Sequence, residues 1–299
     1  MRADQLRAGE SPAKSVRRII RREAAKALRR LEAADPPPDA AVHDARKRLK
    51  RARAALRLVR KDLGARRFQR ENEAFRDAAR PLSEIRDAKI LVEAFDALAE
   101  RAPTSDRPAL RHVRELLIAH QVRVRERVFG TKAPLKPVTT ALKAARRRMG
   151  AWPLDHAGWS LVGPGVRQVY RSGRQVFQAV RQKPLDGNLH ELRKQAKYLW
   201  HQLEMLAPIA PSLIRDLAGR AHQLSDALGD DHDLAVLKQR LTRARARIPR
   251  TANATLSRMI AERRDELQAR ALALGARMYD EAPRRFAKRL RRRWRYWQG

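Results

Sequence analysis

Residues 42–50 read VHDARKRLK and residues 189–197 read LHELRKQAK, and the similarity of these two segments decides the fold that we predict. Both segments carry a histidine, an arginine and two lysines at the same offsets. The matched pairs are His43 with His190, Arg46 with Arg193, Lys47 with Lys194, and Lys50 with Lys197. A repeat inside one chain indicates that two parts of it adopt the same fold.

A second pair of segments repeats in the same order. Residues 82–91, LSEIRDAKIL, match residues 228–237, LGDDHDLAVL, and the interval from the first segment to the second is nearly the same in both halves. Two matched segments at matched spacing favour a tandem duplication. Between the halves, residues 151–166, AWPLDHAGWSLVGPGV, are rich in Gly, Pro and Trp and poor in charge, which is typical of a connection.

The spacing of apolar residues predicts that the elements are helices. From Val42 to Leu63 the apolar side chains step by three and four residues, which places them on one side of an α-helix. No convincing run of alternating β-branched residues occurs. Similar helices are predicted near residues 10–34, 66–80, 82–100, 107–129, 135–149, 166–182, 187–207, 211–228, 231–247, 252–276 and 279–297.

Together these patterns predict an all-α protein built from two tandemly duplicated antiparallel helical bundles. The first bundle would comprise residues 1–150 and the second residues 151–299. A pseudo-twofold axis would relate them around a basic cleft.

The net charge of +35, from 68 Lys and Arg against 33 Asp and Glu, indicates an anionic partner. Nucleic acid, an anionic membrane face and polyphosphate all satisfy this charge equally. The absence of cysteine excludes disulfides, thiolate zinc sites and cysteine nucleophiles. No apolar segment resembles a signal peptide or a membrane span, so we expect a cytoplasmic protein that does not bind membranes.

The basic residues of each repeated segment lie on the side of the helix opposite its apolar stripe. From His43 to Arg57 this surface would extend about 21 Å, enough to contact several phosphates. An ordinary solvated helix surface is the alternative, but few acidic residues stand at i+4 to neutralise the charge. Arg48 and Arg51 are left out of this basic surface because they point away from the stripe. The first ridge comprises His43, Arg46, Lys47, Lys50, Arg53, Arg57 and Lys61, and the second ridge comprises His190, Arg193, Lys194, Lys197 and His201.

The pattern His-x-x-Arg-Lys-x-x-Lys thus occurs twice, at residues 43–50 and 190–197, and an Arg-Asp or His-Asp pair follows each copy after a similar interval. This doubled pattern resembles the CHAD family, the conserved histidine α-helical domain, over essentially the whole chain. The resemblance implies two helical bundles around a basic cleft, binding of inorganic polyphosphate, and localisation to polyphosphate granules. Some members carry an additional triphosphatase domain, and nothing like it is present in this sequence, so we expect a stand-alone binding module.

The resemblance also implies which residues bind polyphosphate. The sequence departs from the family pattern at Trp200 and His201, where an arginine followed by an aromatic residue would be favoured. Either the second ridge is weaker at its C-terminal end, or Tyr198 and His201 make the contacts instead. The predicted polyphosphate-binding residues are His43, Arg46, Lys47, Lys50, Arg53, Arg57, Arg86, His190, Arg193, Lys194, Lys197, Tyr198 and His201.

Asp87 and Asp233 are predicted to orient an arginine or lysine from behind rather than to touch the anion. Capping of a helix start is an alternative role for both. His43 and His190, crowded by cations, are predicted to be neutral at pH 7, and bound phosphate would favour their protonation. We therefore expect the affinity for polyphosphate to rise as pH falls toward about 6.

Residues 230–233, DDHD, contain metal-ligand side chains, but consecutive residues point in different directions on a helix, so we predict no metal site. The C-terminal tail, RFAKRLRRRWRYWQG, mixes basic and aromatic residues as single-strand nucleic-acid-binding proteins do. The helical spacing of its apolar residues favours packing against the core instead. These residues are Phe286, Leu290, Trp294 and Trp297.

No catalytic motif stands out, because there is no Gly-rich phosphate loop, no nucleophile elbow and no carboxylate pair with acid-base spacing. We therefore predict a polyphosphate-binding protein that is not an enzyme and requires no cofactor. Two alternatives stay open: a general RNA- or DNA-binding protein, and an enzyme that processes polyphosphate or triphosphate. The remaining histidines, among them His222, are interpreted as ordinary helix or loop residues.

Overall fold

The computed structural model describes residues 4–102, 107–130 and 135–298. Within these ranges the chain forms α-helices, short 3-10 turns and no strands, which confirms the all-α prediction. The α-helices are α1 (Pro12–Glu32), α2 (Asp39–Leu58), α3 (Arg60–Ala99), α4 (Arg107–Phe129), α5 (Lys136–Arg148), α6 (Trp159–Gln182), α7 (Asp186–Leu206), α8 (Pro211–Arg243), α9 (Arg250–Met278) and α10 (Pro283–Gln298).

Two predicted helix breaks are wrong. We expected separate helices on either side of Pro81, but α3 continues through this proline, because Ala78 and Leu82 on either side of it are buried in the core and packing offsets the lost hydrogen bond. The bend in α3 lies instead at Gly64, whose φ of 70° suits only a residue without Cβ. Similarly, α8 runs unbroken through Gly229, where we predicted an interruption.

Helix α6 begins at Trp159, inside the segment that we predicted to be a connection. Its first turns contain Gly165, where a Cβ would overlap the backbone carbonyl oxygens of Arg57 and Leu58 at the end of α2. The glycine therefore permits a close approach of α6 to α2. This contact places the C-terminal end of the first motif helix against the second half of the chain.

The hydrophobic core crosses the predicted boundary at residue 150. One buried cluster combines α1, α2, α5, α6, α7 and α10 with the first parts of α3 and α8, so that Leu49 and Leu199 belong to the same cluster. A second cluster joins the distal parts of α3 and α8 to α4 and α9. The motif helices α2 and α7 pack directly against each other, and Gln202 of α7 donates a hydrogen bond of 3.2 Å to the carbonyl oxygen of Ala54 in α2.

The basic C-terminal helix α10 packs as the sequence predicts. Phe286, Leu290 and Trp294 are buried, and Trp297 is partly buried against the same cluster. In the part of the chain that is described, no helix is long and apolar enough to cross a membrane.

Candidate anion-binding pocket

A pocket of about 340 Å³ opens between α2, α3, α7 and α8, and we call it the central pocket. The two motif helices contribute one set of side chains each, and the helices that carry the second repeated segment contribute the rest. Its lining comprises His43, Arg46, Lys47, Lys50, Arg86, Asp87, Ile90, Leu91, Arg193, Lys197, Trp200, His201, His222, Asp226, His232, Asp233 and Val236.

Most of the predicted site residues meet in this pocket. From the first half of the chain these are His43, Arg46, Lys47, Lys50, Arg86 and Asp87, and from the second half Arg193, Lys197, His201 and Asp233. They converge because residues three and four apart share one helix face, and because α2 and α7 turn these faces toward each other.

Three predicted residues lie elsewhere, farther along α2 and α7. Arg57 stacks over the ring of Tyr198 at 3.7 Å, and Arg53 lies 5.9 Å from the same ring. Both arginines also donate hydrogen bonds of 3.1 Å to Asn72 Oδ1 of α3. These side chains are thus held by neighbours outside the lining of the central pocket.

The remaining two predicted residues lie beside the pocket at the start of α7. Lys194 forms an ion pair with Glu191 one turn earlier on the same helix. The ring of His190 packs on His232, with 4.5 Å between centroids, and His232 in turn lines the pocket. His190 therefore stands one layer behind the pocket surface.

Donor groups in the pocket lack partners among the described residues. Arg46 is only 11% exposed, and its one ion pair is a contact of 3.4 Å from Nη2 to Asp87 Oδ1. Arg46 Nη1 and Arg193 Nε are buried and make no hydrogen bond within the described structure. A buried guanidinium donor without an acceptor is costly, so these atoms are suited to receive the oxygens of an anion.

The crowding of cations changes the titration of Lys50. Burial, and then the charges of Arg46, Lys197 and Arg193, lower the pKa of Lys50 to about 7. Burial and Arg193 likewise lower the pKa of Lys197. Because cations from α2 and α7 act on the same ammonium groups, the two halves form one electrostatic site.

Three histidines in or beside the pocket have pKa values below the ordinary value of the imidazole. Burial and the charge of Arg86 lower the pKa of His43, and burial and Arg193 lower the pKa of His190. Burial lowers the pKa of His232 to about 4, with Arg193 acting in the same direction. These directions agree with the prediction that His43 and His190 are neutral at pH 7.

Asp87 and Asp233 lie in the middle of α3 and α8, so the alternative that they cap helix starts is wrong. Asp87 contacts Arg46, as an orienting carboxylate would. Burial raises the pKa of Asp233 to about 6, against the opposing effect of Arg193. Its role as an orienting group stays a prediction.

Sequence reasoning missed one pair in the pocket. His222 Nδ1 and Asp226 Oδ2 of α8 are 2.5 Å apart, and the ring of His222 meets Trp200 edge-on at 3.8 Å between centroids. The i, i+4 spacing of a histidine and an aspartate was the available signal. The comparison of the two halves does not reveal this pair, because Arg76 and Arg80 occupy the corresponding positions in the first half.

Arg48 and Arg51 of α2, which we excluded from the first ridge, belong to an ion-pair network. Arg51, 8% exposed, lies 2.6 Å from Asp4 and 2.9 Å from Glu204, and 3.8 Å from the fully buried Glu23. Arg48 lies 3.4 Å from the same Glu23. This network ties α1, α2 and α7 together outside the pocket lining, so it positions the motif helices.

The acidic cluster at residues 230–233 is dispersed over several environments. Asp231 Oδ1 accepts hydrogen bonds of 2.9 Å from Arg264 and from Gln268 of α9, whereas His232 and Asp233 face the pocket. Among the described residues, no group of three or more histidine or acidic side chains is arranged to hold a metal ion.

Comparisons with known proteins agree with the geometry. A family model described as the CHAD domain matches residues 18–242. A solved structure, PptA from Streptomyces chartreusis, is similar in fold with a TM-score of 0.63 and 14% identity, over 90% of this chain and 100% of that one. No match was found among curated proteins.

Proposed function

Because this chain belongs to the CHAD domain family, we propose that it binds inorganic polyphosphate in the central pocket. Polyphosphate is a flexible chain with about one negative charge per phosphate, and it is held by lysine and arginine with release of counterions, as nucleic acid is. Arginine can bind two oxygens at once, and lysine acts as a compact point charge. The pocket supplies both kinds of group from α2 and from α7.

The observation that carries this proposal is the convergence of the two repeated motifs on one pocket. Arg46 and Lys50 come from the first copy, and Arg193 and Lys197 from the second. Burial first, and then repulsion from Arg46, Lys197 and Arg193, lower the pKa of Lys50, and a bound polyanion would offset this repulsion. We infer that the halves arose by tandem duplication and that each forms one wall of a basic cleft.

Polyphosphate fits this pocket better than nucleic acid does. Trp200 is the large aromatic side chain of the lining. His201 stacks on it at 4.4 Å, His222 meets it at 3.8 Å, and Lys197 Nζ lies 5.7 Å from its centroid. A nucleobase would have to displace these neighbours in order to stack, whereas polyphosphate carries no base.

We propose further that the protein holds polyphosphate without cleaving it. Two of the three pocket carboxylates have basic neighbours: Asp87 contacts Arg46, and Asp226 contacts His222. The pairing of Asp87 with an arginine suits an orienting role more than acid-base chemistry. Binding of this kind would bring the protein to polyphosphate granules.

The test is a titration of long-chain polyphosphate by calorimetry at several salt concentrations. The double variant Lys50→Gln/Arg193→Gln is expected to bind on the order of tenfold or more weakly, because it removes one charge from each wall. The matched control is Arg111→Gln/Arg250→Gln, which removes the same charge from exposed positions on α4 and α9. Equal losses of affinity in both variants would show that binding depends on net charge alone and would contradict a pocket site.

Two further measurements address the alternative functions. Single-stranded RNA at matched charge is expected not to displace polyphosphate near physiological salt, and displacement with equal or better affinity would contradict the proposal. Incubation with polyphosphate and Mg²⁺ is expected to release no phosphate. A fluorescent fusion is expected at granules, and the Lys50→Gln/Arg193→Gln fusion is expected to be dispersed.

A further inference from the structure

A second basic concavity lies between the first turns of α6 and the outer side of α10. This α6–α10 groove has a volume of about 690 Å³ and shares no lining residue with the central pocket. Its charged lining consists of six cations and no acidic residue: Lys61, Arg167, Arg284, Lys288, Arg291 and Arg295. The central pocket, by contrast, contains three aspartates among its lining residues.

The six cations are exposed and have no ion pair or hydrogen bond among the described residues. By contrast, Arg289 of α10 forms an ion pair of 2.7 Å with Glu281. At 100° per residue, Arg284, Lys288, Arg291 and Arg295 fall in one row along α10. The row is therefore free to meet phosphates that follow one another along a chain.

Packing holds this row in place. Phe286 stacks on Tyr170 of α6 with 4.0 Å between centroids, and Trp294 packs against Trp159 at 5.7 Å. The apolar side of α10 is thus covered by α6. A basic amphipathic helix must insert its apolar side to bind a membrane, so this packing disfavours a lipid surface as the partner.

An exposed aromatic residue follows the row in sequence and lies about 100° around α10 from Arg295, outside the lining of the groove. Tyr296 is 80% exposed, and it follows Arg295 directly and lies one turn after Arg292 on α10. An aromatic ring among unpaired cations is the arrangement by which proteins bind single-stranded nucleic acid, with backbone contacts from the cations and a base stacked on the ring. Helix α10 also lies beyond residues 18–242, which the family model matches.

We propose that the α6–α10 groove binds single-stranded nucleic acid, with its cations on the phosphate backbone and Tyr296 stacked on a base. The contacts do not depend on base identity, because every base has a face on which an aromatic ring can stack. This site is independent of the central pocket. The protein would therefore bind a nucleic acid strand and polyphosphate at the same time.

The test uses the full chain and a labelled oligouridylate of about 20 nucleotides, longer than the site of a typical single-strand binding module, followed by fluorescence anisotropy across a range of salt. The groove variant is Arg284→Gln/Lys288→Gln/Arg291→Gln/Arg295→Gln. Its control removes four exposed cations from α4, α8 and α9: Arg111→Gln/Lys238→Gln/Arg250→Gln/Arg270→Gln. The groove variant is expected to lose at least about tenfold in affinity and about three units of the salt slope, since each phosphate contact contributes about 0.7 for a single strand.

A second pair of variants tests the stacking. Tyr296→Ala is expected to weaken oligouridylate binding by roughly tenfold and Tyr296→Phe to leave it nearly unchanged. Neither change should alter polyphosphate binding, and Lys50→Gln/Arg193→Gln should show the reverse pattern. Equal losses in the groove variant and its control, or equal affinities of Tyr296→Ala and Tyr296→Phe, would overturn the proposal. The proposal would also be overturned if the groove variant kept its affinity for the oligonucleotide but lost affinity for polyphosphate or for vesicles of phosphatidylcholine and phosphatidylglycerol.

Discussion

Arg51 Nη1 on α2 donates a hydrogen bond of 2.9 Å to Glu204 Oε2 on α7, so the two motif helices are joined by an ion pair outside the lining of the central pocket. The same guanidinium lies 3.8 Å from Glu23, which is fully buried on α1. Repulsion between cations on the pocket side opposes the association of α2 and α7. The Arg51 network lies on the other side of α2, where it contacts acidic residues before α1, on α1 and on α7.

Arg51→Met is therefore expected to destabilise the protein. Among the described residues, Arg48 would remain as the ion-pair partner of the buried Glu23, and breaking a buried ion pair by removing one partner costs about 3–5 kcal/mol. Urea denaturation followed by circular dichroism would measure the loss. Arg30→Met, which breaks the exposed pair with Asp44, is the control and should cost less than about 1 kcal/mol. Similar costs for the two variants would contradict the assigned role of Arg51.

Lys50→Met is expected to act in the opposite direction on stability. It removes a partly buried charge whose close charged neighbours on α2 and α7 are repulsive, so the free energy of unfolding at pH 7 should rise by on the order of 1–2 kcal/mol. Affinity for polyphosphate should fall in the same variant. A stabilised protein with unchanged affinity would show that Lys50 does not contact the anion.

The pH dependence of stability provides a check on the same residue. Because the pKa of Lys50 is about 7 in the folded protein and about 10.4 in an unfolded chain, the unfolded state binds more protons between these values. The contribution of Lys50 therefore makes the free energy of unfolding rise with pH from about 7 to about 10. This part of the rise should be missing in Lys50→Met when both proteins are unfolded with urea at matched pH values.

Much of the central pocket follows from sequence because its main cations repeat. Arg46 and Arg193 stand at matched positions on two amphipathic helices, and periodicity places each at the edge of its apolar stripe, four residues after Val42 and Leu189. His222 was not found because its partners Trp200 and Asp226 have no counterparts in the first half. The hydrogen bonds of Arg57 and Arg53 to Asn72 join different helices, and no local pattern encodes such contacts.

The errors in the predicted helix breaks also arise from contacts between distant parts of the chain. Pro81 and Gly229 are helix breakers by propensity, yet both lie inside helices that are held by long-range packing of α3 and α8. The burial of Arg51 was not predicted, because a charged residue outside an apolar stripe suggests solvent exposure unless its acidic partners are known. Those partners, Asp4, Glu23 and Glu204, come from distant parts of the chain.

Gly165→Ala is expected to lower the free energy of unfolding by disturbing the contact between α6 and the end of α2. The added Cβ would overlap the carbonyl oxygens of Arg57 and Leu58, which are backbone atoms and cannot rotate away. Overpacking of this kind typically costs about 1–3 kcal/mol, and it would shift α6 relative to the end of α2. Gly187→Ala, at an exposed position with open space around its Cα, is the control and should be nearly neutral.

The affinity for polyphosphate is expected to rise as pH falls from about 8 to 6, with Lys50 as the principal titrating group. At pH 8 a lysine with a pKa of about 7 is mostly neutral, and a bound polyanion favours its charged form, so binding near pH 7.5 should take up protons. Protonation of Asp233, whose pKa is about 6, removes a negative charge from the pocket and acts in the same direction. Calorimetry in buffers of different ionisation enthalpy would measure the proton uptake.

Lys50→Arg keeps the charge throughout this range, so it should flatten the rise in affinity between pH 8 and about 7. A rise that persists there unchanged in Lys50→Arg but disappears in His43→Gln/His190→Gln would assign it to the histidines instead.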